Sequence, residues 1–177
     1  MRKNIIICGL IAGLIVTVWM LGQMVNLFKI EGSLWLGYTT MLVAFSLIFV
    51  AVKNSRDRYS DGTISFGKAF KIGLMITLIA STIYVVVWQF DYKYFASDYL
   101  DKYYAHQIAD MKAKGASAAE ISKATLNAQS FIKSYQNPLV NIAITYGEIL
   151  PMGLVVSLIA ALILKRKAAT ENLAMSS

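Results

Sequence analysis

The sequence predicts an all-α integral membrane protein: a four-helix bundle with an extracytoplasmic helical hairpin between the third and fourth transmembrane helices. Three observations predict this fold. Hydrophobic residues make up 57% of the 177 residues and charged residues only 15%, whereas a soluble domain carries about a quarter charged residues. Four apolar stretches are each long enough to cross a bilayer. The longest polar stretch separates the third of them from the fourth.

The predicted spans follow these apolar stretches, and residues 1–177 are predicted to form one membrane domain. A helix rises about 1.5 Å per residue, so about 20 apolar residues cover a hydrocarbon core of about 30 Å. Helices are required because unpaired backbone groups in lipid cost several kcal/mol each. The predicted transmembrane helices span about 5–28, 33–52, 70–90 and 139–164, and the insertion spans about 91–137.

Basic residues predict the orientation of these spans. The four arginines lie at the termini or in the 53–71 connection: Arg2, Arg56, Arg58 and Arg166. The short turn at 29–31 holds Lys29, which Glu31 balances. Because cytoplasmic loops are enriched in Lys and Arg, both termini and the 53–71 connection are predicted to face the cytoplasm, in a bacterial inner membrane. The net charge of +7 is interpreted as a sign of this orientation and not of nucleic-acid binding.

The 91–137 segment is predicted to form two helices. The first runs from Ser97 to Lys114 without Gly or Pro and stops at Gly115. Ser117 and Glu120 have the spacing of a capping box, which begins a second helix. A pair of helices this short buries little apolar surface by itself. It is therefore expected either to pack on the membrane surface or a partner, or to serve as a solvated spacer.

Residues 62–69 narrowly miss the phosphate-binding P-loop. That motif needs Ser or Thr after its Lys to hold Mg²⁺, and a buried strand before its first Gly. Here Ala69 follows Lys68, and a polar turn precedes Gly62. The segment is therefore predicted to be a cytoplasmic turn leading into the third span, and no nucleotide is expected to bind.

The sequence also contains no recognisable motif for catalysis or metal binding. Cys8 is the only cysteine and His106 the only histidine. His106 and Asp110, one helical turn apart, supply two ligands, whereas zinc sites use at least three protein ligands. No enzymatic activity, cofactor or metal site is therefore predicted.

Glu148 is the one charged residue inside the fourth span. It lies about ten residues, or about 15 Å, from the start of that span, where a charged carboxylate costs at least about 2.5 kcal/mol. Asn141 and Thr145 precede it at helical spacing. The three residues are predicted to form one polar stripe that faces the bundle interior.

Pro151 extends this candidate site. Its ring removes the hydrogen bond to the carbonyl of Gly147, directly before Glu148. Ser81 and Tyr84 are candidate partners at similar depth. Two interpretations remain open: a hydrogen-bonded Glu148 that keeps a kinked helix in register, or a site that coordinates a cation or relays a proton.

Small residues form faces on the first and fourth spans. Gly9 and Gly13 lie four residues apart, as do Gly153, Ser157 and Ala161. Such faces let helices approach closely in a membrane. They are predicted to close the bundle itself, with the joining of two copies as the alternative.

Several segments resemble those of an uncharacterised bacterial membrane family, domain of unknown function 4199. The matching segments are VKNSRDRY at 52–59, GTISFGKAFKIG at 62–73, Pro138, EILP at 148–151 and SLIAALILKRK at 157–167. The resemblance covers nearly the whole chain and implies an integral membrane protein of four helices. It implies no activity, substrate or cofactor, and it transfers no catalytic residue.

These observations favour a multi-pass inner-membrane protein that acts as a non-enzymatic structural or interaction protein of the cell envelope. Its expected partners are the lipid bilayer and either a second copy of the chain or other membrane proteins. The alternative is a small proton- or ion-coupled carrier that uses Glu148.

Overall fold

The computed structural model describes residues 1–24 and 34–166, apart from the side chains of Met24 and Leu34. Seven α-helices occur in these residues: α1 Arg2–Met24, α2 Leu34–Phe45, α3 Leu47–Tyr59, α4 Phe66–Tyr94, α5 Tyr99–Ala113, α6 Ala118–Tyr135 and α7 Pro138–Leu164. The same residues contain no β-strand, so the all-α prediction is confirmed. The predicted turn with Lys29 and Glu31 and the end of the first predicted span lie outside the described residues.

Four helical stretches are long and apolar enough to cross a membrane: Arg2–Gln23, Trp35–Tyr59, Phe66–Tyr94 and Pro138–Leu164. The second of them combines α2 and α3, which only Ser46 separates. The Ser46 hydroxyl donates to the Val43 carbonyl at 2.6 Å, within its own helical run. Helices α4 and α7 have 29 and 27 residues, or about 43 and 40 Å at helical rise. Both therefore exceed a hydrocarbon core of about 30 Å.

The helices form two compact units. The first consists of Met1–Tyr84 with Ile149–Ser177, and the second of Val85–Glu148. Helices α4 and α7 each contribute one part to each unit, and α7 continues as a helix past Pro151.

The first unit is apolar inside and outside. Phe45, Ile48, Ile76 and Ile149 are fully buried in its core. Its outward side chains are also apolar, and the following are more than half exposed: Leu14, Val18, Val43, Leu162 and Ile163. A soluble protein rarely exposes so large an apolar surface.

Small residues bring the helices of the first unit close together. A Cβ built on Gly9 would lie 2.8 Å from Ile79, which places α1 directly on α4. A Cβ on Gly73 would lie 2.6 Å from the hydroxyl of Ser157, which places α4 directly on α7. The small-residue faces thus pack against other helices of the same chain. This agrees with the prediction that they close the bundle.

Helices α5 and α6 of the second unit pack against each other. The rings of Tyr104 and Phe131 meet edge to face, with centroids 5.9 Å apart. Gly115, between the helices, has a φ of +79°, a backbone conformation that favours glycine. Ser117 caps α6: its hydroxyl accepts the Glu120 amide at 3.3 Å, and the Glu120 carboxylate accepts the Ser117 amide at 2.8 Å. This reciprocal pair is the predicted capping box.

Gly153→Ala tests the packing of α7 on α4. The added Cβ would collide with the side chain of Thr77 and lie 3.0 Å from Phe45. Overpacking of this kind should lower the free energy of unfolding by about 1–3 kcal/mol, measured by thermal unfolding in detergent. The control is Gly37→Ala, because nothing lies within 4 Å of the Cβ it would add. Equal destabilisation by both variants would contradict the described helix contact.

Candidate functional site

The polar stripe of α7 is divided between the protein interior and its surface. Asn141 and Thr145 are buried, each only 1% exposed, whereas Glu148 is exposed. The next buried residue of α7 after Thr145 is Ile149, which is fully buried. The expectation that Glu148 faces inward with the other two is therefore corrected.

Two residues of α4 and one of α6 complete a hydrogen-bonded network around the buried part of this stripe. The Trp88 indole N–H donates to the Tyr135 hydroxyl at 2.9 Å, and that hydroxyl lies 3.5 Å from the Thr145 hydroxyl. Thr145 donates to the backbone carbonyl of Asn141 at 2.8 Å. The Gln89 side-chain amide donates to Oδ1 of Asn141 at 2.5 Å. All five residues belong to the second unit.

Aromatic rings enclose this network. Trp88 meets Tyr99 edge to face, with centroids 5.7 Å apart. Tyr135 contacts Tyr92 at 5.3 Å and Phe131 at 5.6 Å. Aromatic pairs at such distances contribute about 0.5–1.5 kcal/mol beyond the burial of their area. The rings therefore join the end of α4 to the start of α5 and the end of α6.

Glu148 acts electrostatically on two of these phenols. Burial raises the pKa of the Tyr99 hydroxyl above its ordinary value, and the charges of Tyr103 and Glu148 raise it further. Burial also raises the pKa of Tyr135, where Glu148 adds to the rise and the hydrogen bonds with Thr145 and Trp88 oppose it.

The remaining predicted site residues belong to different surroundings. Gly147 is exposed beside Glu148 in the second unit. Ser81, Tyr84 and Pro151 belong to the first unit. Ser81 is fully buried, and its hydroxyl has no hydrogen-bond partner among the described residues.

Sequence reasoning missed Trp88, Gln89 and Tyr135 as parts of the site, and it also missed Asp91. One available signal was Gln89, which is the only amide side chain between residues 72 and 90. The predicted third span ended at Phe90, but α4 continues to Tyr94. Asp91 therefore lies on a helix, 8% exposed, and its Oδ2 has no partner in the described part of the chain.

The site offers hydrogen bonding and charge but no group of metal ligands. Among residues 1–24 and 34–166, no three His, Cys, Asp or Glu side chains come together in a way that could hold a metal ion. His106 and Asp110, on α5, are both exposed, and their side chains lie 3.8 Å apart.

The fold thus defines a class of helical protein with four helices long and apolar enough to span a membrane. A family model described as "Protein of unknown function (DUF4199)" matches residues 7–166. The chain belongs to this family, as its motifs indicated. No curated protein and no solved structure matches it.

Tyr135→Phe tests the buried network. The substitution keeps the ring but removes the acceptor of the Trp88 indole N–H. An unpaired buried donor costs about 1–3 kcal/mol, so the free energy of unfolding in detergent should fall by that amount. Tyr104→Phe is the matched control, since it removes a hydroxyl from a neighbouring half-buried ring and should change stability by less than about 0.5 kcal/mol. Similar losses in both variants would show that the network contributes nothing specific.

Proposed function

We propose that this chain is a multi-pass protein of the bacterial cytoplasmic membrane with a non-enzymatic, structural or interaction role in the cell envelope. In this proposal the four apolar helical stretches span the bilayer, and both termini and the 53–71 connection lie in the cytoplasm. Helices α5 and α6 form an extracytoplasmic hairpin, which is the part available to other envelope proteins or to the membrane surface.

Membrane insertion is supported by the exposed apolar surface of the first unit. Side chains such as Val18 on α1 and Ile163 on α7 are 60% and 66% exposed. Lipid removes the cost of leaving these side chains in water, about 25 cal/mol for each Å² of apolar surface. The proposed orientation is supported by the arginines, all of which lie at the ends assigned to the cytoplasm.

The single observation that carries the non-enzymatic proposal is the hydrogen-bonded network of four buried polar side chains in the second unit. Trp88, Tyr135, Thr145 and Asn141 hydrogen-bond to one another within the second unit. Groups paired in this way hold helices in register, whereas catalysis needs a nucleophile and a base aimed at an open site. The surfaces left for partners are those of α5 and α6, where Leu126 is 64% exposed and Tyr103 40% exposed.

Site-directed labelling tests the proposed orientation. Lys112→Cys on α5 and Lys165→Cys after α7, each in a Cys8→Ser background, place one thiol on each proposed side of the membrane. A membrane-impermeant maleimide added to intact spheroplasts should label the first variant nearly completely, and the second only after permeabilisation. Labelling of the Lys165→Cys variant but not the Lys112→Cys variant would reverse the orientation. Recovery of the protein from the detergent-free aqueous fraction would refute insertion.

A second candidate function, a proton- or ion-coupled carrier, is supported by the surroundings of Glu148. Its side chain is exposed. Burial raises the pKa of Tyr99 and the pKa of Tyr135, and the charge of Glu148 adds a smaller rise to each. Glu148 lies about 24 Å along α7 from Leu164, where Lys165 and Arg166 begin. If these two cations mark the cytoplasmic boundary of a core of about 30 Å, the carboxylate lies about 6 Å inside the outer boundary. Water and protons reach such a position more easily than the bilayer centre.

Glu148→Gln separates the two functions. A carrier that moves protons through this carboxylate should lose its flux in proteoliposomes to the level of empty vesicles, because glutamine cannot bind or release the proton. Asp110→Asn, which removes an exposed charge of the same sign from α5, should leave the flux unchanged. Equal flux in the parent and the Glu148→Gln variant would exclude the carrier and leave the structural role.

A further inference from the structure

An open surface cavity of about 470 Å³ lies in the first unit, where the turn between α3 and α4 meets the residues that follow α7. It is lined by the end of α3 and the turn between α3 and α4, by Lys68 in the first turn of α4, and by Arg166, two residues beyond the end of α7. Its lining residues with polar side chains are Tyr59, Ser60, Asp61, Thr63, Ser65, Lys68 and Arg166. None of these residues belongs to the network around Tyr135.

Backbone hydrogen bonds fix the walls of this cavity. The Ile64 amide donates to the Arg166 carbonyl at 3.0 Å, and the Arg166 amide donates to the Ile64 carbonyl at 2.9 Å. This pair of hydrogen bonds holds the chain after α7 against the turn before α4. Within the turn, Asp61 and Gly62 have φ values of 46° and 74°, and the Thr63 amide donates to the Ser60 carbonyl at 2.8 Å. The backbone of Arg166 is therefore held at a defined position beside the turn, and its exposed side chain lines the cavity.

The lining combines two cations with four hydroxyls. The Lys68 ammonium donates to the Ser60 hydroxyl at 2.7 Å, and Arg166 supplies the second cation. Tyr59, Ser60, Thr63 and Ser65 add the hydroxyls, and Asp61 is the only acidic residue in the described lining. Lys, Arg and hydroxyl donors converging on one space are the groups that bind phosphate oxygens.

The position of the cavity favours a lipid headgroup over a nucleotide as the source of the phosphate. Lys165 and Arg166 follow directly on the apolar end of α7, so under the proposed insertion the cavity lies at the headgroup level. Phe66 and Phe70 stack on α4 beside it, with ring centroids 6.0 Å apart, and Phe66 is 38% exposed. Basic pockets between transmembrane helices on the cytoplasmic side are typical of anionic-lipid sites. A nucleotide is disfavoured because Ala69, fully buried, stands where a P-loop would place its Mg²⁺ ligand.

We propose that this cavity binds a phosphate group through Lys68 and Arg166, and that the phosphate belongs to an anionic phospholipid of the cytoplasmic leaflet. The choice of lipid as the source rests on the proposed membrane insertion. The recognition of phosphate does not rest on it, because the cations and hydroxyls are placed by the first unit itself. The same chemistry would admit free inorganic phosphate, and the experiment separates these two sources.

The test uses the full chain in detergent and measures lipid binding by native mass spectrometry. The probes are phosphatidylglycerol, phosphatidylcholine and inorganic phosphate. The Lys68→Gln/Arg166→Gln variant should bind phosphatidylglycerol at least about tenfold more weakly, because each substitution removes a charge-assisted hydrogen bond to the phosphate. Its binding of phosphatidylcholine should stay the same. Lys68→Arg/Arg166→Lys, which keeps both charges, should retain most of the affinity.

The matched control is Lys71→Gln/Lys165→Gln. It removes the same charge from exposed residues next to the cavity but outside its lining, and it should weaken binding by no more than about twofold. Retention of phosphatidylglycerol in millimolar inorganic phosphate supports the lipid source, and displacement that depends on Lys68 and Arg166 supports phosphate binding from solution. Equal losses in both glutamine variants, or none in either, would overturn the proposal. The inorganic phosphate arm needs no bilayer, so its outcome is independent of the labelling test of insertion.

Discussion

The close contact of α4 with α7 in the first unit determines much of what surrounds it. Gly73 leaves room for Ser157, and Gly153 leaves room for Thr77. The two hydroxyls between these glycines lie 3.3 Å apart, and Ser157 also donates to the Gly153 carbonyl at 2.6 Å. This register carries the chain after α7 to the turn before α4, where Arg166 pairs with Ile64. Two buried glycines thus help to shape the cavity lined by Lys68 and Arg166.

The second unit is held together differently, by aromatic rings and buried hydrogen bonds. Its central group is Tyr135, which accepts from Trp88 and contacts Tyr92 and Phe131. A low local dielectric strengthens such bonds when every partner is present and makes each missing partner costly. Asp91 departs from this pattern, because its Oδ2 is buried and has no partner among the described residues.

The two units therefore support different roles. In the second unit, the buried side chains of Trp88, Tyr135, Thr145 and Asn141 hydrogen-bond to one another, which is typical of a framework. Glu148 is not part of this network. It is an exposed carboxylate whose charge contributes to the raised pKa of Tyr99 and of Tyr135. The polar lining of the cavity, by contrast, presents cations and hydroxyls to open space. The proposed anionic-lipid site belongs to the first unit, whereas the surface proposed for other envelope proteins belongs to α5 and α6 of the second.

The sequence by itself determined the helical class, the four apolar helices, the capping box at Ser117 and the family. Each of these depends on residues close together in the chain, because hydropathy, helical spacing and capping are local properties. It also identified Asn141 and Thr145 as one polar face of α7. It did not identify their partners, nor the exposure of Glu148.

Tertiary structure decided which groups meet. Trp88 and Tyr135 are 47 residues apart in the chain, and Thr77 and Ser157 are 80 apart. No local pattern specifies such pairs, since they follow from how side chains of different helices interlock. The cavity depends in the same way on Arg166, a residue that sequence reasoning used for orientation and family resemblance but not for a site. Helix formation is thus encoded locally, whereas the sites arise from packing between distant segments.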